Sequence, residues 1–409
     1  MAKAGHTSPS AIRLTSVLIL FGIAYFLSLF FRTVNAILSS RLETDLSLDA
    51  ASLGLLTAAY FFGGGMAQIP IGVCLDAYGP RRVQSVMLCI AAIGIAAFGL
   101  FESVPMLVVA RLLIGIGLAG CLTTAFQVSI LWLSSEKVPL ANGLYLAVGG
   151  LGALAATAPV NVVLELISWQ QMFVAVAALT LIVAAAIAIV TPEPPVTPRL
   201  SWGGRLKSVA QVATNARLRQ YLPLSALCFG TGSAMQGLWA ADWMRAVAGH
   251  SADVIGWSLA MMAVSLTVGA AAGGVLTLVM ERRGLQLKHV ILGSAVLFIL
   301  AEIGLVLLPS TASLIPWLLF ALTYNVVTLS YVHVSRSQPK ESVGSAIALM
   351  NTIVVLSTFV IQYGLGLFFS WYGPSDPAAA YTWAFWVLIW IQIAALIWCC
   401  FPRANSPTD

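Results

Sequence analysis

The chain has 409 residues, of which 60% are hydrophobic and 9% charged, and a net charge of +5. A soluble domain carries about a quarter charged residues, and a disordered chain pairs low hydrophobicity with high charge, so both classes are excluded. The basic residues sit in short loops between long apolar runs, not in a patch, which argues against nucleic acid as a partner.

Crossing a bilayer core takes about 20 apolar residues per helix. Runs of that kind cover 14–38, 52–75, 83–101, 106–133, 140–164, 170–190, 221–244, 254–279, 289–308, 313–335, 343–370 and 380–401, here helices 1 to 12. Barrel strands would be about ten residues long and would alternate apolar with polar, so the expected class is an all-α polytopic membrane protein. The first run is too long for a cleavable signal peptide and lacks a small-residue cleavage pattern behind it. Cys74, Cys89, Cys121, Cys228, Cys399 and Cys400 lie scattered, without CxxC spacing or a nearby His, so neither a metal site nor a disulfide framework is expected.

With the N-terminus inside, sixteen of the twenty Lys and Arg fall on the cytoplasmic side, Arg41 and Arg245 outside, and Arg32 and Arg111 within spans. The positive-inside bias therefore places both termini in the cytoplasm. The longest loop, 191–219, opens with Thr191, Pro192, Glu193, Pro194 and Pro195 and continues through Trp202, Arg205 and Lys207. Proline stops helix 6, and the basic remainder reads as a tether lying by the inner leaflet. The expected organisation is an N-terminal six-helix bundle (1–190), a cytoplasmic linker (191–219) and a C-terminal six-helix bundle (220–409).

The loop between helices 2 and 3 contains Gly72, Asp76, Gly79, Arg81 and Arg82. It resembles the signature loop of the major facilitator superfamily (MFS), departing from it at Ala77, where the family usually has a basic residue. Arg111 with Gly115 in helix 4, and Trp169 with Phe173 in helix 6, are similar to further family motifs. A degenerate echo of the loop, Gly273–Gly274 through Glu281–Gly284, stands at the matching place in the second half. The resemblance implies two pseudo-symmetric six-helix bundles, alternating access around a cavity lined by helices 1, 4, 7 and 10, and secondary transport of a small molecule by a monomer in an inner (plasma) membrane. It also implies that Gly72, Asp76, Gly79, Arg81 and Arg82 gate the cytoplasmic side. Helix 5 lacks the Gly-Pro arrangement of proton-driven drug exporters, which lowers that reading without removing it.

A charge inside a bilayer costs about 2.5–3.5 kcal/mol on insertion scales, so intramembrane ionisable residues are functional candidates. Arg32 belongs to a stripe of Tyr25, Ser28, Arg32, Asn35 and Ser39 at helical spacing on helix 1. Phe30 through Asn35 resembles the helix 1 segment of the organic-anion and organophosphate branches, which implies that Arg32 contacts an anionic substrate; a structural tie to neighbouring helices is the alternative. Arg111, Thr124 and Gln127 extend the candidate substrate site on helix 4, with a structural Arg111 buried against neighbouring helices equally open, Gln236 and Trp239 on helix 7, Tyr324 and Thr328 on helix 10, and Asn351 on helix 11. Glu302, Asp242 and His333 are candidates for coupling to protons, with Na+ as the other coupling ion; the alternatives are a structural Glu302 and His333, and Asp242 as a gate partner of Arg245 or Arg41. The acids that organic-anion symporters often place beside these arginines are replaced by Phe31 and Leu118, leaving uniport and exchange open as well.

The preferred reading is a secondary transporter of a small organic anion. Alternatives are a carrier of amino acids or other neutral or zwitterionic solutes, a drug exporter, and, from another class, a non-transporting membrane sensor or receptor. An enzyme is not expected, because HExxH, P-loop and nucleophile-elbow motifs are missing, and no cofactor is implied.

Overall fold

The computed structural model describes residues 11–192, 209–308, 310–338, 342–372 and 375–401. Most of the 191–219 linker, with Trp202, Arg205 and Lys207, lies outside the described residues.

Nine helical stretches among the described residues are long and apolar enough to cross a membrane. A tenth crossing, helix 5, is a pair bent by 47°, Val138–Ala155 and Ala158–Leu166. The 51-residue run Ala50–Leu100 holds both helix 2 and helix 3, which separate at Gly79. Gly79 has φ 76 and ψ 167, a region open only to glycine, and Pro80 behind it starts helix 3 with a preset φ. Helix 7 runs Ala216–Ala234, passes through a π turn at Met235–Trp239 and finishes as Ala240–Ala246. Counted this way, the chain crosses twelve times, as the apolar runs predict.

Helix 1 comprises Ala11–Thr33 and, after a turn at Val34, Asn35–Leu46. It therefore continues eight residues beyond its apolar run and ends at Ser47, a left-handed residue with φ 52. The Asp49 carboxylate then caps helix 2, accepting from the Ser52 N–H at 3.0 Å. Helix 4 is Val104–Leu118 and Cys121–Trp132; helix 6 is Trp169–Val190, opened by a Ser168–Gln171 capping box. Helices 8, 9, 11 and 12 are Ala252–Arg282, Leu287–Leu307, Val343–Tyr372 and Pro377–Cys400. Helix 10 consists of Leu314–Tyr324, a 3-10 turn Val326–Leu329 and Ser330–Ser335.

Helices 1, 4, 7 and 10 are thus each broken partway along. Backbone groups freed inside a membrane need other partners. At the helix 4 break the Leu118 carbonyl accepts from Ser28 at 3.2 Å and the Ala119 carbonyl from Gln68 at 3.2 Å.

Each bundle has an aromatic core: Phe31, Phe98, Trp169 and Phe173 in the first, and Trp243, Phe298, Trp317, Phe320 and Phe385 in the second. Ile93, Val109, Ile182, Leu300 and Val360 are exposed, an apolar exterior that suits lipid. The end carrying the 2–3 loop is called the inner end below, and the opposite one, carrying Ser47, the outer end.

Candidate functional site

The bundles meet along helices 1 and 7, 2 and 11, and 5 and 8. Toward the outer end the contact is tight. Gly54 of helix 2 and Gly366 of helix 11 face each other so closely that a Cβ on Gly366 would lie 2.8 Å from the Ala50 carbonyl and 3.1 Å from the Gly54 Cα. Ser370 of helix 11 donates to Asp49 at 2.9 Å. Arg245 of helix 7 reaches Glu43 at 3.4 Å, Asp242 at 3.5 Å and Ser39 at 3.2 Å, and Tyr381 of helix 12 donates to Asp242 at 2.7 Å. Burial raises the Glu43 carboxyl above its ordinary range, and repulsion from Asp242 adds to this while Arg245 opposes it.

Beneath this closed end lies a cavity of about 150 Å³. Its wall extends along helix 2 from Tyr60 and Phe61 to Gln68, that is, toward the inner end, and includes Tyr25, Ser28 and Arg32 of helix 1, Phe229 of helix 7 and Asn351 of helix 11. Arg32 is half-buried and faces both bundles. Its Nη2 donates to Ser233 Oγ of helix 7 at 2.5 Å, and its guanidinium lies 4.8 Å from the Phe229 ring centre and 5.7 Å from that of Phe61. Among the described residues no carboxylate pairs with it. On the outer side of Arg32 a water-sized space is lined by Ser233, Gln236 and Tyr324. Tyr324 donates to Gln236 Oε1 at 2.6 Å, while the Gln236 Nε2 is buried without a partner.

The structure gathers only part of the expected site. Tyr25, Ser28, Arg32 and Asn351 share the cavity, with Gln236 and Tyr324 behind Arg32. Arg111 points elsewhere: 1% exposed, it donates to the Phe31 carbonyl at 3.3 Å and stacks on Phe98 at 4.4 Å and Phe173 at 5.7 Å, inside the first bundle. Thr124 bonds Gln84 and the Gly120 carbonyl, and Gln127 is absent from the cavity wall. Asn35 donates to Thr57 at 2.9 Å, above the cavity. Trp239 donates to the Gln362 carbonyl at 3.2 Å and packs edge-to-face against Phe369, so it belongs to the outer closure. Thr328 donates to the Asn325 carbonyl at 2.6 Å within the helix 10 break.

The three coupling candidates are dispersed. Asp242 belongs to the outer cluster, and the His333 ring meets Tyr221 edge-to-face with ring centres 4.7 Å apart. Glu302 is fully buried inside the second bundle, where Gln392 donates to its Oε1 at 3.1 Å. Within the expected gating loop, Gly79 forms the turn and Arg81 donates to the Ala188 carbonyl of helix 6 at 2.7 Å.

Sequence reasoning passed over Tyr60, Phe61, Gln68, Phe229 and Ser233. Phe229, Ser233 and Gln236 recur at i, i+4 and i+7, so helix 7 carried a readable stripe. Phe61 carried no signal, being one aromatic among many in an apolar helix.

Two helical bundles thus meet around a cavity whose one charged lining side chain, among the described residues, is the half-buried Arg32. Residues 21–362 match the profile of the Major Facilitator Superfamily, and the chain belongs to that family. It is 26% identical over 157 residues (38% of this chain, 36% of the relative) to a probable sulfoacetate transporter, SauU, of Cupriavidus necator. Over 115 residues it is 34% identical to the nitrate/nitrite transporter NrtP of a Picosynechococcus species, covering 28% of this chain and 21% of that one. The matched stretches thus span about a third or less of these relatives' length. Among solved structures, an inward-facing, unoccupied bacterial homologue of the human lysosomal transporter Spinster superimposes with a TM-score of 0.76 at 18% identity, covering 96% of this chain and 97% of that one.

Proposed function

We propose that the protein is a secondary transporter that moves a small organic anion by alternating access. The observation that carries this reading is Arg32: a guanidinium in the inter-bundle cavity, held by Ser233 and two phenylalanine rings and unpaired with any described carboxylate. An arginine keeps its charge when partly buried, and its fork of donors matches a carboxylate or sulfonate. An anion beside it offsets the cost of the buried charge. Since Arg32 touches both bundles, the same contact biases their relative position. The relatives named as a probable sulfoacetate transporter and a nitrate/nitrite transporter handle anions too, which supports an anionic substrate without fixing its charge.

In this reading residues 1–190 and 220–409 rock about the cavity, joined by the 191–219 linker. Both termini lie in the cytoplasm of an inner-membrane monomer, and Gly72, Asp76, Gly79, Arg81 and Arg82 gate the inner end. The coupling ion is a proton or Na+, with Asp242, Glu302 and His333 as the proton-coupling candidates.

The test is the thermal stability of detergent-purified protein against carboxylates, sulfonates, phosphorylated compounds, amino acids and sugars, followed by flux in proteoliposomes. A bound ligand raises Tm by mass action. An organic anion is expected to raise Tm in the wild type and not in folded Arg32→Gln. Stabilisation of both proteins alike, by neutral or zwitterionic compounds only, refutes the anion reading.

A further inference from the structure

Resting on the anion reading, we infer that the cavity selects small organic monoanions, one carboxylate or one sulfonate with a neutral hydrogen-bonding tail, and discriminates against dianions. Three observations support this. First, Arg32 is the one charged side chain among the described residues lining the cavity and the space behind it. The other intramembrane arginine, Arg111, is sequestered by the Phe31 carbonyl and the Phe98 ring. Second, Arg32 has a single site to offer. One Nη2 hydrogen goes to Ser233, while Nε, Nη1 and the second Nη2 hydrogen make no hydrogen bond to described residues, leaving one two-donor edge, which contains that second Nη2 hydrogen, for one anionic group. Third, the remaining polar wall is neutral: the Tyr25 phenol, Gln68, whose Nε2 is held by the Ala119 carbonyl, and Asn351, whose Oδ1 accepts from Tyr331 at 3.5 Å. These groups hydrogen-bond a hydroxyl, amide or carbonyl and supply no counter-charge for a second carboxylate. A second charge drawn out of water beside them loses its hydration uncompensated.

Size points the same way. A cavity of about 150 Å³ holds a molecule on the scale of benzene. Within that space the two ends of a small dicarboxylate stay close together, so the second charge lies against the same neutral wall.

The experiment uses the purified full-length protein, with Kd taken from the concentration dependence of Tm. Two near-isosteric pairs separate charge from size: 2-hydroxyethanesulfonate against sulfoacetate, and 3-hydroxypropionate against malonate. The monoanion of each pair is expected to bind at least about tenfold more tightly near neutral pH. A second arm needs no variant. Methyl phosphate loses its second proton near pH 6, so its affinity is expected to rise at least about tenfold from pH 8 to pH 5, while 2-hydroxyethanesulfonate, singly charged throughout, changes by less than about threefold. In folded Asn351→Arg the gap within each pair is expected to narrow or reverse. Equal or tighter binding of the dianions by the wild type, or methyl phosphate affinity that does not rise on acidification, overturns the monoanion inference and leaves the anion reading standing. Failure of every anion to bind removes both.

Discussion

Closure of the outer end depends on two residues without side chains. At Gly366 an added Cβ lies 2.8 Å from the Ala50 carbonyl oxygen, 3.1 Å from the Gly54 Cα and 3.4 Å from the Trp239 ring. Two of these neighbours are helix backbone, and Trp239 is pinned by its hydrogen bond to the Gln362 carbonyl and by Phe369. None of them yields by a rotamer change. Gly366→Ala therefore has to push helices 2 and 11 apart by about half an ångström or more to restore ordinary van der Waals separation. Overpacking of this kind costs about 1–3 kcal/mol. The cost falls only on the outer-closed state, because separation of the bundles at that end relieves it, so the equilibrium shifts toward outward-open by about 5- to 150-fold. Spin labels on the outer ends of helices 2 and 11, read by pulsed electron resonance in Gly366→Ala, measure the shift as a population at longer distance. The helix itself gains slightly from Ala over Gly, by about 1 kcal/mol, which keeps the variant folded. A distance distribution identical to that of the wild type, in a variant that elutes as a single folded species, refutes the reasoning.

Outer closure is also expected to respond to pH. Glu43 has its carboxyl raised above 4.5, by burial first and then by Asp242, so the closed form binds this proton more tightly than a solvated form does. That stabilisation is complete below about pH 4.5 and is lost as pH rises through the raised folded value. Acidification toward pH 5 should therefore enlarge the outer-closed population in the same distance measurement, and Glu43→Gln should flatten the dependence. Gly79→Ala places a side chain at φ 76, ψ 167 and should cost about 1–3 kcal/mol, read as a lower Tm. An unchanged Tm would show that the 2–3 turn adapts. Arg111→Met retains the contact with Phe98 and Phe173 while removing a charge that does not line the cavity, so anion Kd should stay within about threefold of the wild type. Loss of binding in a folded Arg111→Met would return Arg111 to the substrate site.

Much of this protein was legible from residue order. Lipid imposes one-dimensional rules: about 20 apolar residues per crossing and basic residues retained on one side. The twelve crossings, the turn at Gly79 and the exceptional position of Arg32 on a polar stripe follow from those rules and from short motifs. Periodicity states which residues share a helix face. It does not state what the face meets. Arg32 and Arg111 are both intramembrane arginines at comparable expected depth, yet Arg32 faces the cavity and Arg111 is enclosed by Phe31, Phe98 and Phe173. The difference arises from how helices 1 and 4 are turned about their axes, helix 1 packing against helices 4, 5 and 6, and helix 4 against the helix 2–3 run. In the same way Thr124 is directed to Gln84, and Phe61, an unremarkable aromatic in sequence, comes to lie beside the guanidinium. Local sequence determines where a helix runs and which of its groups are costly to bury. Only the joint packing of two bundles decides which of those groups share a space, because that depends on contacts between residues as far apart as Arg32 and Ser233.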